Sequence, residues 1–228
     1  MPEREPCSCG SCVNTFSTKD AQSDLERYRR DGPDAPTRAL IEAIRKEGIE
    51  GATLLDIGGG VGAIQLELLA AGLGSSESVD ASEAYVEVAA AEAERRGLAD
   101  RAGHRFGTLA ELADEVATAD IVTLDKVVCC NADLPLLLGD VVLRARRMIG
   151  LIYPRDRWWN ALAAKALAVF GWLTRDSTRW YLHSDEEVDG FLRRAGFERR
   201  EVSRTFIWQV ALYVRPAGQV SVSTPSSP

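Results

Sequence analysis

A glycine-rich turn between an apolar strand and an apolar helix constrains this chain most. Residues 54–63 are LLDIGGGVGA, and residues 64–69 continue as IQLELL. The residues up to Leu55 indicate a buried parallel strand, the glycines a tight turn, and the apolar spacing after Val61 a helix. Such a unit presents backbone N–H groups and a positive helix end at the carboxyl edge of a sheet, where nucleotide-like ligands bind.

Two ligand-binding patterns share this geometry, and the residues around the turn distinguish them. Gly58, Gly60 and Ala63 satisfy the G-x-G-x-x-G/A spacing of dinucleotide-binding turns. Asp56, however, precedes the first glycine by two positions, where a carboxylate would repel a pyrophosphate but suit a cationic, amine-bearing ligand. The sequence contains neither a Tyr-x-x-x-Lys pair for hydride transfer nor a P-loop lysine after the glycines. An NAD-dependent oxidoreductase therefore remains only the alternative.

The pattern D-x-G-x-G-x-G over residues 56–62 resembles the first motif of the class I S-adenosylmethionine-dependent methyltransferases. The resemblance extends over roughly residues 35–215, including the ending AGFERREV…WQVALYV. It implies a doubly wound, Rossmann-like α/β sheet of seven strands, mostly parallel with an antiparallel last strand, and S-adenosyl-L-methionine as the cofactor. The residues expected to hold that cofactor are Asp56, Gly58, Gly59, Gly60, Gly62, Asp80, Ala81 and Tyr28.

A second acid supports the same site. Asp80 ends the next strand signal, about 22 residues beyond Gly58, which is close to the spacing of a ribose-binding acid. It also suits a cap for the helix that starts near Ser82, and the two roles are compatible. Tyr28 lies on an N-terminal helix expected to fold over the cofactor, where its ring either packs or contacts the ligand.

Composition limits the class of partner. The 228 residues suit one α/β domain with appendages. Lys and Arg number 27 against 34 Asp and Glu, and the formal net charge of −7 argues against nucleic acid as a principal partner. The sequence shows no apolar signal segment and no apolar window long enough to span a bilayer, so we expect a cytoplasmic protein without a transmembrane segment. A small-molecule methyl acceptor is then the expected partner.

The chain is expected to form one domain between two tails. We predict a flexible, cysteine-bearing tail over residues 1–17, a methyltransferase domain over 18–216 and a disordered tail over 217–228. Within the domain, residues 18–50 form a helical cap and 154–182 an aromatic lid insertion. The predicted strands cover residues 52–57, 76–80, 103–106, 120–125, 149–153, 200–207 and 209–215. The predicted helices cover residues 18–31, 36–47, 61–72, 82–97, 109–116, 133–147 and 185–195.

The end of the fourth predicted strand carries the candidates for proton chemistry. Asp125 and Lys126 are placed to orient the acceptor or to move a proton, or else to pair with each other or cap the next helix. His183 is a further candidate for a general base, although a lone histidine is more often structural.

The number and spacing of the cysteines do not predict a metal site. Cys7, Cys9 and Cys12 supply three ligands, whereas zinc and iron–sulfur sites need four, so no metal site is predicted. A flexible tail or a disulfide-forming redox switch suits these three better. Cys129 and Cys130 are interpreted as small buried hydrophobes rather than as reactive or ligating groups.

The insertion after the fifth strand supplies aromatic and basic side chains for a lid over a planar, carboxylate-bearing molecule. The expected acceptor contacts are Tyr153, Arg155, Trp158 and Trp159. The alternative is an amphipathic helix whose aromatic residues pack on the sheet. The order of cap, motif and aromatic insertion also resembles, less closely, the magnesium-protoporphyrin O-methyltransferases, which implies a porphyrin propionate as the acceptor.

The sequence thus predicts in-line methyl transfer to a small, planar aromatic or carboxylate-bearing molecule. Because a sulfonium leaving group already carries the driving force, such a reaction requires alignment more than a catalytic triad. A non-catalytic, nucleoside-binding redox or metal sensor with the same fold is the alternative from another class.

Overall fold

The computed structural model describes residues 17–160 and 181–216, in which helices and strands alternate. The strands are β1 (Thr53–Ile57), β2 (Ser75–Asp80), β3 (Ala102–Phe106), β4 (Ala119–Asp125), β5 (Ala145–Pro154), β6 (Glu198–Arg204) and β7 (Trp208–Val214). The helices are α1 (Thr18–Asp31), α2 (Ala35–Lys46), α3 (Ala63–Ala70), α4 (Glu83–Arg95), α5 (Leu134–Arg144) and α6 (Asp185–Arg194). This alternation produces a parallel sheet covered by helices on both faces.

The strands form one sheet in the order β3-β2-β1-β4-β5-β7-β6. β1 to β5 pair in parallel, whereas β7 runs antiparallel to both β5 and β6. The predicted doubly wound sheet with an antiparallel last strand is confirmed. The strand order reverses between β1 and β4, and a ligand crevice forms at the carboxyl ends of the strands at such a switch point.

Apolar side chains fill both faces of the sheet. Leu54 of β1 packs with Leu40 of α2 on one face, and Leu55 packs with Leu138 of α5 on the other. Successive residues of a strand point to opposite faces, so β1 is buried on both sides. The two packed faces hold the end of β1, and the glycine turn that follows it, in a fixed position.

One predicted helix does not form, and another is shorter than predicted. Residues 109–116 make a series of turns. A segment this short gains few internal hydrogen bonds as a helix, and the guanidinium of Arg144 instead fixes one of its turns by donating to the carbonyl oxygen of Ala113 at 2.7 Å. The helix predicted over residues 133–147 ends at Arg144, because Ala145 already pairs with β4.

A tight turn joins the two N-terminal helices. Gly32 ends α1 with a φ of +73°, in the left-handed region that favours glycine. The carboxylate of Asp34 caps α2 by accepting a hydrogen bond from the N–H of Thr37 at 3.0 Å. Gly32 and Asp34 both line the cavity at the carboxyl edge of the sheet.

Some predictions fall on residues that the structure does not describe. The cysteine tail, residues 161–180 of the aromatic insertion, and the C-terminal tail lie outside the described residues. Their predicted roles stay predictions. Over residues 17–160 and 181–216, the structure contains no helix with the length and apolar character needed to cross a bilayer.

Candidate active site

A cavity of about 630 Å³ opens at the switch point between β1 and β4. Its walls come from the glycine turn, the ends of β2 and β4, the loop after β3, the α1–α2 turn and the first half of α5. The predicted cofactor residues that line it are Tyr28, Asp56, Gly58, Gly59, Gly60, Asp80 and Ala81. Gly62 instead caps the start of α3. The sequence motif is therefore largely gathered in one cavity.

Left-handed glycines shape the turn. Gly58, Gly60 and Gly62 have φ angles of +66°, +55° and +79°, which other residues rarely adopt. A Cβ atom on Gly58 would lie 2.3 Å from Cγ2 of Val127. At Gly60 the same atom would meet nothing within 4 Å, so a side chain there would project into open space beside the cavity.

Asp80 ties the glycine turn to the end of β2. Its Oδ2 accepts a hydrogen bond from the N–H of Gly60, and its Oδ1 accepts one from the N–H of Ser82, each at 2.9 Å. Burial raises the pKa of Asp80, and the two N–H groups oppose that shift. Each carboxylate oxygen can accept two hydrogen bonds and here accepts one from the backbone. Each therefore keeps a lone pair for a ligand hydroxyl. α4 begins at Ser82 without a side-chain cap, so Asp80 supports its start only through the Ser82 N–H and remains available to a ligand.

Asp56 lies almost fully buried beneath the turn, with 2% of its surface exposed. Its Oδ1 accepts a hydrogen bond from the hydroxyl of Thr123 at 2.7 Å. Burial raises the pKa of Asp56 to about 7; the Thr123 hydroxyl opposes the shift, and the charges of Asp125 and Asp80 add to it. A cationic ligand beside this carboxylate would favour its ionised form.

Tyr28 reaches the cavity from α1, but its hydroxyl is engaged elsewhere. That hydroxyl donates to Oε1 of Glu67 on α3 at 2.7 Å, and the guanidinium of Arg96 lies 4.9 Å from the centre of the ring. Burial and the bond to Glu67 raise the pKa of Tyr28. The ring thus combines the two predicted roles, because it packs α1 against α3 and α4 and also forms part of the cavity wall.

A second polar cluster lies where β4 ends. The Nζ atom of Lys126 is 2.8 Å from Oδ2 of Asp34 and 3.1 Å from Oδ1 of Asp125. It is also 3.4 Å from Oγ1 of Thr37, whose hydroxyl donates to Oδ2 of Asp125 at 2.5 Å. We call Asp34, Thr37, Asp125 and Lys126 the Lys126 cluster. All four residues line the cavity, so the predicted pairing of Asp125 with Lys126 does not remove either from it.

Within the Lys126 cluster, each charged group shifts the pKa of its neighbours. Burial lowers the pKa of Lys126, but the carboxylates of Asp125 and Asp34 outweigh it and raise the pKa overall, so the ammonium stays charged. Burial raises the pKa of Asp125, and the charge of Lys126 opposes that shift. The backbone of Lys126 has a φ of +62°, an uncommon value for a residue with a side chain.

His183 contacts a residue of the cavity wall. Its Nε2 lies 2.8 Å from the carbonyl oxygen of Asn131. A carbonyl oxygen only accepts, so this nitrogen donates and cannot act as a base in this arrangement. Asn131 lines the cavity, whereas His183 is not among the described residues that do. The structure therefore does not support the predicted role of His183 as a general base.

The adjacent cysteines differ in position. Cys129 is buried, with its thiol 3.2 Å from the carbonyl oxygen of Lys126, as a small core residue would be. Cys130 instead forms part of the cavity wall. Where the structure describes the chain, it shows no group of three or more His, Cys, Asp or Glu side chains that could hold a metal ion.

Tyr153, predicted to contact the acceptor, lies away from the cavity. It is 1% exposed, and its hydroxyl donates to Oδ1 of Asp185 on α6 at 2.7 Å. The side-chain amide of Gln209 donates to the same hydroxyl at 2.7 Å. Tyr153 faces the side of β5 that α6 covers, so its predicted acceptor contact is corrected to a role in the core.

The basic and aromatic residues after β5 also pack elsewhere. Arg155 donates to the carbonyl oxygen of Thr205 at 3.0 Å. Trp159 stacks on Phe206 with ring centres 5.2 Å apart, and Trp158 is 73% exposed. Within the described ranges the structure places Arg155, Trp158 and Trp159 beside the β6–β7 turn rather than on the cavity wall. Trp158 and the Phe206 partner of Trp159 are both exposed, so these rings do not pack on the sheet as the alternative proposed either.

The comparison with curated proteins finds a methyltransferase. No protein-family model matches the sequence. The ubiquinone/menaquinone biosynthesis C-methyltransferase UbiE of Acidiphilium cryptum (strain JF-5) is 28% identical over 165 residues, which cover 64% of this chain. The matched region spans 66% of that protein's own length.

Solved structures decide the fold. The magnesium protoporphyrin IX methyltransferase ChlM of Synechocystis PCC 6803, with bound SAH, has a TM-score of 0.64 at 19% identity, covering 86% of this chain and 95% of that one. This chain has the class I methyltransferase fold. The resemblance inferred from the glycine motif is thereby confirmed. The [4+2]-cyclase SpnF has the same fold, with a TM-score of 0.64 at 16% identity over 91% of this chain and 97% of SpnF, so the fold alone does not fix the reaction.

Sequence reasoning missed part of this methyltransferase-fold cavity. Asp34 and Thr37 form a visible helix-capping pattern, but nothing in that pattern shows that both also reach the end of β4. Residues 107–110 line the cavity because they follow β3 at the carboxyl edge of the sheet. Their position after a strand was the available signal, and the helix predicted from residue 109 onward obscured it.

Proposed function

We propose that this chain is an S-adenosylmethionine-dependent methyltransferase acting on a small molecule. The observation that carries the proposal is that Asp56, the glycine turn and Asp80 line one cavity at the switch point of a class I methyltransferase fold. Two comparisons support it, because the curated relative is a C-methyltransferase and ChlM was solved with SAH and with SAM.

The residues present fit this cofactor. The open space beside Gly60 admits a ligand against the backbone of the turn. Asp80 offers lone pairs to ribose hydroxyls, and Asp56 offers a buried carboxylate to the cationic end of the ligand. A volume of about 630 Å³ lies within the range of small-molecule sites.

When bound, the cofactor supplies a methyl group activated by a positively charged sulfur. The chain must then align an acceptor and exclude water. Tyr28, Gly32 and Pro33 form a wall over the cavity, which limits access of water from that side. Asp125 is placed to accept a proton from an acceptor, because it lines the same cavity with part of its side chain exposed.

Calorimetry with S-adenosylhomocysteine tests the cofactor site. We expect Asp80→Ala to weaken binding about 10- to 100-fold, since hydrogen bonds to a charged group contribute roughly 1.5–3 kcal/mol. Gly60→Val should remove measurable binding. The valine side chain would enter the cavity, and the φ of +55° at this position would be strained for valine.

The matched control is Asp120→Asn. Asp120 begins β4 at the opposite edge of the sheet, where its carboxylate accepts hydrogen bonds from Thr53. This variant should bind S-adenosylhomocysteine as the parent protein does. Thermal unfolding verifies that each variant is folded. Unchanged binding by both cavity variants would refute the proposal.

A nucleoside-binding role without methyl transfer is the second candidate, because the cyclase SpnF shares the fold. Incubating the protein with methyl-labelled S-adenosylmethionine and a metabolite extract distinguishes the two. Label in an acceptor supports the methyltransferase. Cofactor binding without any transfer supports the second candidate.

A further inference from the structure

We propose that the acceptor site at the end of β4 takes a neutral or cationic molecule with a hydroxyl or amine donor and disfavours carboxylates. The proposal rests on the methyltransferase function proposed above and specifies its acceptor. It replaces the carboxylate-bearing acceptor that the sequence suggested, since Arg155 and Tyr153 do not reach the cavity in the described structure.

The lysine of the acceptor site is not available to an anion. An ammonium group has three N–H donors, and Nζ of Lys126 has three oxygen acceptors within 3.4 Å, on Asp34, Asp125 and Thr37. A ligand carboxylate would have to displace one of them. The cluster contains two carboxyl groups for one ammonium, so with both ionised it carries an excess negative charge and repels a further anion.

Asp125 can accept a hydrogen bond from a ligand. Its two oxygens have about four lone-pair positions, of which the Thr37 hydroxyl and the Lys126 ammonium occupy two. Asp125 lines the cavity with 17% of its side chain exposed, while its Oδ1 is buried against the ammonium. The position that Oδ2 keeps beside the Thr37 hydroxyl therefore suits an O–H or N–H group of an acceptor. Thr37 and Lys126 hold the carboxylate in place and therefore act as positioning residues.

The other charged residues that line the cavity do not make the acceptor site positive. Asp140 of α5 lines the cavity, and its nearest cation, Arg144, is 3.8 Å away and donates to the backbone oxygens of Asp140 and Ala113. Arg38 lines the cavity from an exposed position, where water screens its charge. Arg27 also lines the cavity, with 64% of its side chain exposed. A carboxylate would thus find these two cations at the solvent side.

Apolar side chains complete the acceptor site. Leu136 and Leu137 at the start of α5 line the cavity together with Val127 after β4. Leu136 is 42% exposed, so part of its apolar side chain is open to a ligand. These residues suit a ring or short aliphatic body, with the polar donor directed toward Asp125.

Ligand-observed NMR on the protein saturated with S-adenosylhomocysteine tests this inference. The probes are catechol, benzylamine and benzoate, which share one ring and differ in the group they present. We expect catechol and benzylamine to bind about tenfold or more tightly than benzoate. Asp125→Asn should weaken catechol and benzylamine several-fold more than it changes the affinity for S-adenosylhomocysteine, whereas Asp120→Asn should change none of these affinities.

Benzoate binding as tightly as catechol, binding of none of the three probes, or an Asp125→Asn variant with parent affinities would overturn the inference. Failure of S-adenosylhomocysteine to bind is a separate result, which would contradict the proposed function itself.

Product chemistry gives an independent check. A methyl ester formed on a carboxylate releases labelled methanol in alkali, whereas a methyl ether or a methylamine keeps its label. Label from a metabolite extract that survives alkali supports the inference. Label recovered as methanol contradicts it.

Discussion

Among single residues, Asp56 links ligand binding to pH. Its pKa of about 7 lies above the ordinary value of 3.8, so the folded protein keeps a proton that the unfolded chain has released between about pH 4 and 7. The stability of the ligand-free protein therefore falls as pH rises through that window. A buried carboxylate that destabilises the ligand-free protein is typical of a binding site, where function requires a group that lowers stability.

We expect Asp56→Asn to stabilise the ligand-free protein at pH 8. The amide oxygen still accepts the Thr123 hydroxyl, while the buried charge is gone. Urea unfolding at pH 8 should show a gain on the order of 2–4 kcal/mol in the free energy of unfolding, and a smaller gain at pH 5. Equal gains at both pH values would show that the charge of Asp56 is not the cause.

The contrast between the glycine turn and the Lys126 cluster shows which site residues a sequence reveals. Gly58 and Gly60 are predictable because neighbouring residues in one short segment determine the turn. The ion pair of Lys126 with Asp34 joins residues 92 positions apart, so only the folded chain shows it. Tyr153 was misassigned for a related reason, because the sequence does not say which face of β5 meets the cavity.

At the scale of elements, α1 is held over the cavity by a buried acid. Glu92 of α4 is fully buried and contacts Arg29 of α1 at 2.7 Å, Arg95 at 2.6 Å and Arg96 at 3.1 Å. The hydrogen bond from Arg95 is the main cause that lowers the pKa of Glu92 to about 2; burial opposes the shift, and Arg29 and Arg96 add to the lowering. The contribution to stability is present above about pH 4.5 and is lost as pH falls toward 2.

Glu92→Gln is expected to loosen α1. The amide keeps the shape of the carboxylate but loses the charge that holds the three arginines, at a cost of about 1–3 kcal/mol. Hydrogen exchange of the α1 amides should become faster at pH 7 in this variant. Glu94→Gln, on the exposed side of the same helix, is the control. If both variants exchange alike, Glu92 does not anchor the helix.

The elements themselves were predictable wherever local pattern and tertiary contact agree. The strand before the glycine turn and the helix before Gly32 both formed close to their predicted bounds. Residues 109–116 have an apolar spacing that suits a helix, yet the segment forms turns, one of which Arg144 holds through the carbonyl oxygen of Ala113. A contact from a distant helix cannot be read from the spacing of a short segment.

For the whole molecule, thermal stability distinguishes a protein that binds S-adenosylhomocysteine from one that binds NAD. A ligand at 100 times its dissociation constant stabilises the folded state by about 2.7 kcal/mol. For a chain of this size, S-adenosylhomocysteine at that level should raise the Tm by roughly 5–10 °C. NAD at the same concentration should leave the Tm unchanged, because Asp56 disfavours a pyrophosphate beside the glycine turn. An equal or larger rise with NAD would favour an oxidoreductase.

The position of Cys130 has a practical consequence. Cys130 lines the cavity, whereas its neighbour Cys129 is buried in the core. An alkylating reagent small enough to enter would therefore mark residue 130, and any occupant of that wall would slow the reaction. Peptide mapping by mass spectrometry separates this adduct from those on other cysteines. We expect such an adduct to report occupancy of the cavity, so that compound collections could be screened before any substrate is known.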